Sequence, residues 1–322
     1  MQRCGVWLAV GLTVLASLPA NAAAGGQITG RIIDRTAPSH PLAGQIVRLA
    51  IIERGAEGER TALSDAAGFF RFSGLPVEGI RVFLLSTDYR GVHYTGDRLT
   101  LNPETPARTA DLAVYEASSD RSTMRASAVF AVVDLAPGAL RVSAIQRLEN
   151  PSDRTIVVTS RDPLTFPLPA GAESVRYLAG WRDPRVDGGA ITDAFPLLPG
   201  ATQVAYAYGL RAGRTVTLPW TLQYGAADVE MLIADAGASV EADGLLARGS
   251  IRGPGGGRYL RWSGGPIPPL GRVTLRLGNL PSARDPWPAG VVVTLALVLG
   301  AGLAAALRRP AAVTSSPSAH RT

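Results

Sequence analysis

The chain has no lysine, and its 32 basic residues are all arginine; it carries one cysteine and three histidines in 322 residues. Each scarcity excludes something. The one cysteine, Cys4, precedes an apolar run in a segment read below as a removable leader, which leaves the mature chain with neither a disulfide nor thiol chemistry. Of the histidines, His320 is in the terminal tail and His40 lies among Pro38 and Pro41, so a serine or cysteine triad has only His93 as its base. No Gly-x-Ser-x-Gly elbow accompanies it, and no His/Cys/Glu cluster has zinc spacing. The expectation is a protein that is not an enzyme, with no catalytic residue, no metal and no cofactor.

The missing lysine also governs the charge. A net charge of +6 and a sequence pI near 10.0 invite a nucleic-acid reading. Setting aside the end-segment residues Arg3, Arg308, Arg309 and Arg321 leaves 28 of the 32 arginines against 26 acids, so the middle of the chain is close to neutral. No basic patch follows, and nucleic acid is not an expected partner.

What is present is apolar sequence at both ends and short alternating segments between. Arg3, the run 6–18 (VWLAVGLTVLASL) and Ala20-Asn21-Ala22 have the charged, apolar and small-x-small parts of a secretory leader, placed at residues 1–22. Residues 289–307 (AGVVVTLALVLGAGLAAAL) are uncharged with Thr294 the one polar side chain, a length that crosses a bilayer at ~1.5 Å per residue. With Pro288 in the first turn the span is 288–307, and Arg308 and Arg309 keep the tail 308–322 in the cytoplasm, while Trp287 suits the outer interface. The expected location is the cytoplasmic membrane, single-pass, with the body in the periplasm or outside the cell.

Between the ends, 36 glycines and 24 prolines spread along the chain favour many short strands joined by turns. Residues 27–34 alternate, Pro38 to Pro41 form a turn, 42–49 read as a strand, 55–60 (GAEGER) as a hairpin connection, and 80–85 as a further strand. The segment 64–76 (SDAAGFFRFSGLP) reads as a turn entering a strand. Asp65 accepts from backbone, Gly68 supplies positive φ, and Phe70 and Phe72 share the face toward the core. As a calcium loop it is short of ligands, because Asp65 is the one acid between Arg60 and Glu78.

These residues carry a resemblance. Gly30-x-Ile32, Pro41-Leu42-Ala43-Gly44 leading to Val47, Ser64-Asp65-x-x-Gly68-x-Phe70-x-Phe72 and Leu75-Pro76 together resemble a carboxypeptidase regulatory-like domain, over residues 27–115. The pattern departs at Glu78-Gly79-Ile80, where an aromatic often follows the glycine. The resemblance implies a prealbumin-like β-sandwich that accompanies other activities as a structural or binding accessory without supplying catalytic residues.

A linker is expected at 116–122 (EASSDRS) and a second β-sandwich at 123–281, with strands at 125–133, 140–148, 155–160, 204–208, 215–222, 229–234 and 273–277 and a turn at Asn150-Pro151-Ser152-Asp153. The fold class is thus all-β, two tandem sandwiches behind a leader and before one C-terminal helix. The Gly-rich stretch 253–257 lacks the lysine and helix of a phosphate loop. Asp183 and Asp187 form a possible carboxylate pair for glycoside hydrolysis, weighed against two solvated acids in a Gly/Pro loop. The candidate binding surface is aromatic: Trp181, Trp220 and Trp262 with Tyr206, Tyr208 and Tyr224 would stack on sugar rings or anchor a partner, or else they fill the second core. The function expected is a noncatalytic membrane-anchored binding or assembly module of the envelope, with an envelope protein or a glycan as partner. The alternatives are a carbohydrate-binding accessory protein and a hydrolase using Asp183 and Asp187.

Overall fold

The computed structural model describes residues 25–281, apart from 39, 54–55 and 254–255. The leader and the apolar C-terminal segment read from the sequence lie outside the described residues. All regular structure within them is β, and no helix among them is long and apolar enough to cross a membrane. The described residues divide into two compact units, 25–114 and 115–281.

The first unit holds β1 (Gly26–Asp34), β2 (Ile46–Glu53), β3 (Ala56–Leu63), β4 (Phe69–Leu75), β5 (Val82–Tyr89), β6 (Val92–Leu99), β7 (Ala107–Thr109) and β8 (Leu112–Val114). One four-stranded sheet runs β3-β2-β5-β6; in the other, β1 pairs antiparallel with β4 and parallel with β7 and β8. Alternate positions in both sheets are buried, with Ile28, Ile32, Phe70 and Phe72 in one and Val47, Leu49, Phe83 and Leu85 in the other. β7 and β8 follow one another along the same edge of β1, and between them Ala110 N donates to Thr29 O at 2.8 Å. That close passage requires glycine at position 30, where a Cβ would lie 1.9 Å from Ala110 O.

The segment 64–76 folds as a turn and a strand. Asp65 Oδ1 accepts from Ala67 N and Phe69 N, both at 2.9 Å, Gly68 has φ +85°, and Phe70 and Phe72 are 3% and 4% exposed. Two local expectations are corrected. Residues 56–60, whose polarity reads as a connection, belong to β3, because as an edge strand it needs no alternating pattern. Residues 42–45 precede β2 as a turn: Gly44 takes φ +69° and its N–H donates to Ser64 O at 2.9 Å.

The second unit holds β9 (Ala117–Ser118), β10 (Arg125–Ala136), β11 (Ala139–Asn150), β12 (Thr155–Ile156), β13 (Leu164–Pro167), β14 (Glu173–Ala179), β15 (Arg185–Asp187), β16 (Ala190–Asp193), β17 (Gly200–Arg211), β18 (Val216–Leu222), β19 (Asp228–Ala234), β20 (Ser239–Asp243), β21 (Leu246–Arg252), β22 (Arg258–Gly264) and β23 (Gly271–Gly278). Its frame is a seven-stranded sheet in the order β14-β17-β11-β10-β19-β22-β21, antiparallel except where β10 meets β19. Two three-stranded sheets, β13-β16-β15 and β18-β23-β20, contribute Phe166, Ile191, Trp220 and Leu275 to the same core as Val133, Ala144 and Tyr206 of the large sheet. Within 116–122, the stretch read from the sequence as a linker, β9 pairs parallel with β12, Thr155 N donates to Glu116 O at 2.9 Å, and Val157 N to Ser118 O at 2.8 Å. Its polar residues sit on a paired backbone, a state that composition does not reveal.

The ends of this unit are distinct. β10 starts at Arg125 and turns into β11 at Pro137-Gly138. The described chain finishes beside that turn, where Gly138 N donates to Pro281 O at 3.2 Å and Leu280 N to Arg214 O at 3.0 Å. At ~3.3 Å per residue the start and finish are separated by the length of β10, about 40 Å.

Candidate functional site

The aromatic residues singled out in the sequence gather around Phe166 of β13. Its ring lies 5.1 Å from that of Trp181, 5.8 Å from Tyr224 and 6.4 Å from Tyr206; Tyr206 and Tyr208, two apart on β17, stack at 6.3 Å with planes 20° apart. The period of two that puts both tyrosines on one face also buries them, because that face is the core. Tyr206 is 0% exposed, Tyr208 4% and Trp220 5%. This corrects the expected binding surface: these three side chains have no face to offer a sugar or a partner.

Their polar ends are spent internally. Gln146 Nε2 donates to Tyr206 Oη at 2.9 Å, and Tyr224 Oη accepts from Thr165 N at 2.7 Å. Burial pushes the Tyr206 phenol up to about 12 and raises Tyr208 and Tyr224 as well, so each stays neutral. The Trp220 indole N–H lies near enough to the Tyr206 hydroxyl to favour its ionised form slightly but meets no acceptor at hydrogen-bond geometry.

The other three, Trp181, Tyr224 and Trp262, keep a solvent edge. Trp181 is half-buried, its Nε1 donating to Ala205 O at 2.6 Å, and Trp262 on β22 stands half-buried opposite Met231. They cannot form one platform, because β17, which holds Ala205, is four strand spacings from β22, about 19 Å at ~4.8 Å each. What Trp181 does adjoin is Tyr177, with ring centroids 5.9 Å apart. Tyr177 and Leu178 are 39% and 38% exposed on β14, the outermost strand of the large sheet. Sequence reasoning missed these two. The signal available was an aromatic and a leucine in a segment (ESVRYLA) whose polar and apolar residues do not alternate.

The loop after β14 is set by a carboxylate. Asp193, 2% exposed, accepts from Arg182 N at 2.8 Å and Asp183 N at 3.2 Å. Asp183 itself is exposed and bound to Arg185 Nη2 at 2.5 Å, while Asp187 ends β15, paired through its backbone with Ala190. The two acids proposed as a hydrolytic pair therefore sit as an ion-paired loop residue and an exposed strand residue. His93, on β6, is an exposed strand histidine with Nδ1 2.8 Å from Asp88 Oδ1. Among the described residues no group of three His, Cys, Asp or Glu side chains is placed to hold a metal.

No family model and no curated protein matches the sequence. Among solved structures the chain is similar to an M1 zinc metallopeptidase from Deinococcus radiodurans, at 12% identity and a TM-score of 0.32. The match covers 49% of this chain and 43% of that one for a mutant bound to a Tyr-Ser-Ala substrate, and 53% and 50% for a second structure of that peptidase. A two-domain M1 zinc metallopeptidase mutant bound to L-tryptophan gives 14% identity, a TM-score of 0.31 and coverage of 55% and 52%. The chain thus spans about half the length of the structures it matches.

Proposed function

We propose that this protein is a noncatalytic, membrane-anchored binding or assembly module of the cell envelope. In this reading residues 1–22 direct export, 288–307 span the cytoplasmic membrane, 308–322 stay inside, and the body is two tandem β-sandwich domains, the first of the carboxypeptidase regulatory-like kind. The observation that carries the binding role is the β14 edge, where Tyr177 and Leu178 present apolar surface beside half-buried Trp181. An exposed strand edge with apolar side chains is a template for a partner's strand or loop, because its unpaired backbone groups and its side chains both lack a covering layer. Trp181 follows the end of β14 remote from Pro281, so the edge points away from the tether.

The test is capture of the partner from detergent-solubilised membranes by the full chain. Leu178→Asp reduces capture roughly 30-fold, the loss expected when one central contact worth about 2 kcal/mol is removed. Ile251→Asp, on the exposed edge β21 at the other side of the sheet, leaves it unchanged. Equal capture by both variants overturns the role given to β14. A glycan ligand is the second reading, supported by the Tyr177 and Trp181 ring pair. It requires binding on a glycan array that Tyr177→Ala abolishes.

A further inference from the structure

The end of the second unit where the described chain finishes gathers arginines from separate strands. Arg141 and Arg211 flank the β10–β11 turn and the end of β17, Arg214 precedes β18, and Arg252 and Arg258 face each other where β21 meets β22. Backbone bonds fix this end to the exit of the chain: Ala212 N donates to Gly138 O, Gly138 N to Pro281 O, and Leu280 N to Arg214 O.

Three acids at the same end are engaged, while exposed Glu241 of β20, opposite Arg276, makes no ion pair. Glu173 pairs with Arg211 at 3.5 Å, Asp235 with Arg258 at 3.0 Å, and Asp134 accepts from the Tyr259 hydroxyl at 3.0 Å. At this end Arg141, Arg214 and Arg252 are exposed and make no ion pair, Arg141 lying opposite Asp134 in the ladder and acting on its carboxylate through charge alone; Arg147, Arg182 and Arg272 are exposed likewise toward the other end, where the described chain does not leave the unit. Between Pro281 and the apolar run beginning at residue 289 lie seven residues, 282–288. Even fully extended, at ~3.3–3.6 Å each, they hold this end within about 25 Å of the start of that run.

We propose that this end of the second unit is a membrane-facing surface, on which Arg141, Arg214 and Arg252 contact the phosphates of anionic phospholipid headgroups. The inference rests on the span proposed above and gives the tethered body an orientation. Arginine suits the role because its planar fork reaches a phosphate with two N–H groups at once. Two features support the role: the described chain ends at this surface, at Pro281, and three exposed arginines without an ion pair stand on it. The β14 edge and the loops near Ala201 and Gly264 then face away from the bilayer.

The test uses the full chain in vesicles. Cys4 is the one cysteine of the sequence, so Cys4→Ser takes a single fluorescent label at Ala136→Cys or Thr215→Cys, with Ala201→Cys as the distal control. In vesicles containing phosphatidylglycerol, lipids spin-labelled at the headgroup quench the labels at 136 and 215 and spare 201, and phosphatidylcholine alone weakens the effect. Arg141→Gln, Arg214→Gln and Arg252→Gln each lower the lipid-bound to unbound ratio of this surface about fivefold, and together roughly a hundredfold. Equal quenching at the three positions, or quenching indifferent to anionic lipid and to the triple variant, overturns the orientation if the chain also resists alkaline extraction. Extraction of the chain at alkaline pH overturns the span, and the orientation with it.

Discussion

Asp65 in the first unit and Asp193 in the second perform one task in two surroundings. Each carboxylate gathers two backbone N–H groups: Asp65 those of Ala67 and Phe69, Asp193 those of Arg182 and Asp183. The donors of Asp65 lie two and four residues away and the residue is exposed; those of Asp193 lie eleven and ten residues away and it is buried. The first arrangement closes a local turn, which the chain favours even before it folds, while the second joins a loop to a strand that only the finished sheet brings near. An acid that looks like a site is thus, in both units, a fastening for backbone, and sequence distance decides how it is recognised.

The two fastenings differ in what their loss costs. Asp193→Ala removes a buried acceptor of two charge-assisted bonds and lowers the stability of the second unit by about 3 kcal/mol. Tryptophan fluorescence checks it directly, since Trp181, Trp220 and Trp262, the tryptophans among the described residues, all belong to that unit. The denaturant midpoint of this signal falls; a midpoint equal to that of the parent would show that the loop after β14 holds without its carboxylate. Asp65→Ala costs about 1 kcal/mol, because water reaches the freed N–H groups. Its effect is read as faster hydrogen exchange at Ala67 and Phe69, with the tryptophan midpoint unmoved.

The same distinction explains what could be read from the residues alone. Strands β17 and β23 announce themselves because one face is polar or small and the other apolar, and the Asp65 turn because all its parts are adjacent. Edge strands carry no such pattern: β14 and β21 are exposed along almost their whole lengths, so nothing in ESVRYLA or LARGSIR alternates. The parallel pairing of β10 with β19 depends on contacts across a hundred residues and leaves no local trace. For the candidate surface, alternation correctly joins Tyr206 to Tyr208 but is silent on which face meets the core. Exposure, the property that makes Tyr177 and Leu178 available, arises from the position of β14 at the sheet edge and has no counterpart in local sequence.

A third carboxylate extends the comparison to side-chain partners. Asp88 of β5 receives His93 Nδ1 at 2.8 Å from β6 and Arg48 Nη1 at 2.5 Å from β2, on an exposed face of the first unit. The hydrogen bond from His93, then that from Arg48, holds its carboxyl below the ordinary 3.8. The folded chain therefore binds this proton less readily than the unfolded one. The contribution to stability is complete above about pH 3.8 and is lost as the pH falls through the lowered value. Because the cluster is solvated, its size is at most a few tenths of a kcal/mol, the scale of exposed pairs. His93→Ala removes the larger cause, so the Asp88 midpoint, followed by the NMR shift of its carboxyl carbon, rises toward 3.8 while Asp65→Ala leaves it in place. A midpoint untouched by His93→Ala would assign the effect to Arg48. Either way the strength of this fastening follows pH, and it joins three strands through side chains where Asp65 and Asp193 each gather backbone N–H groups.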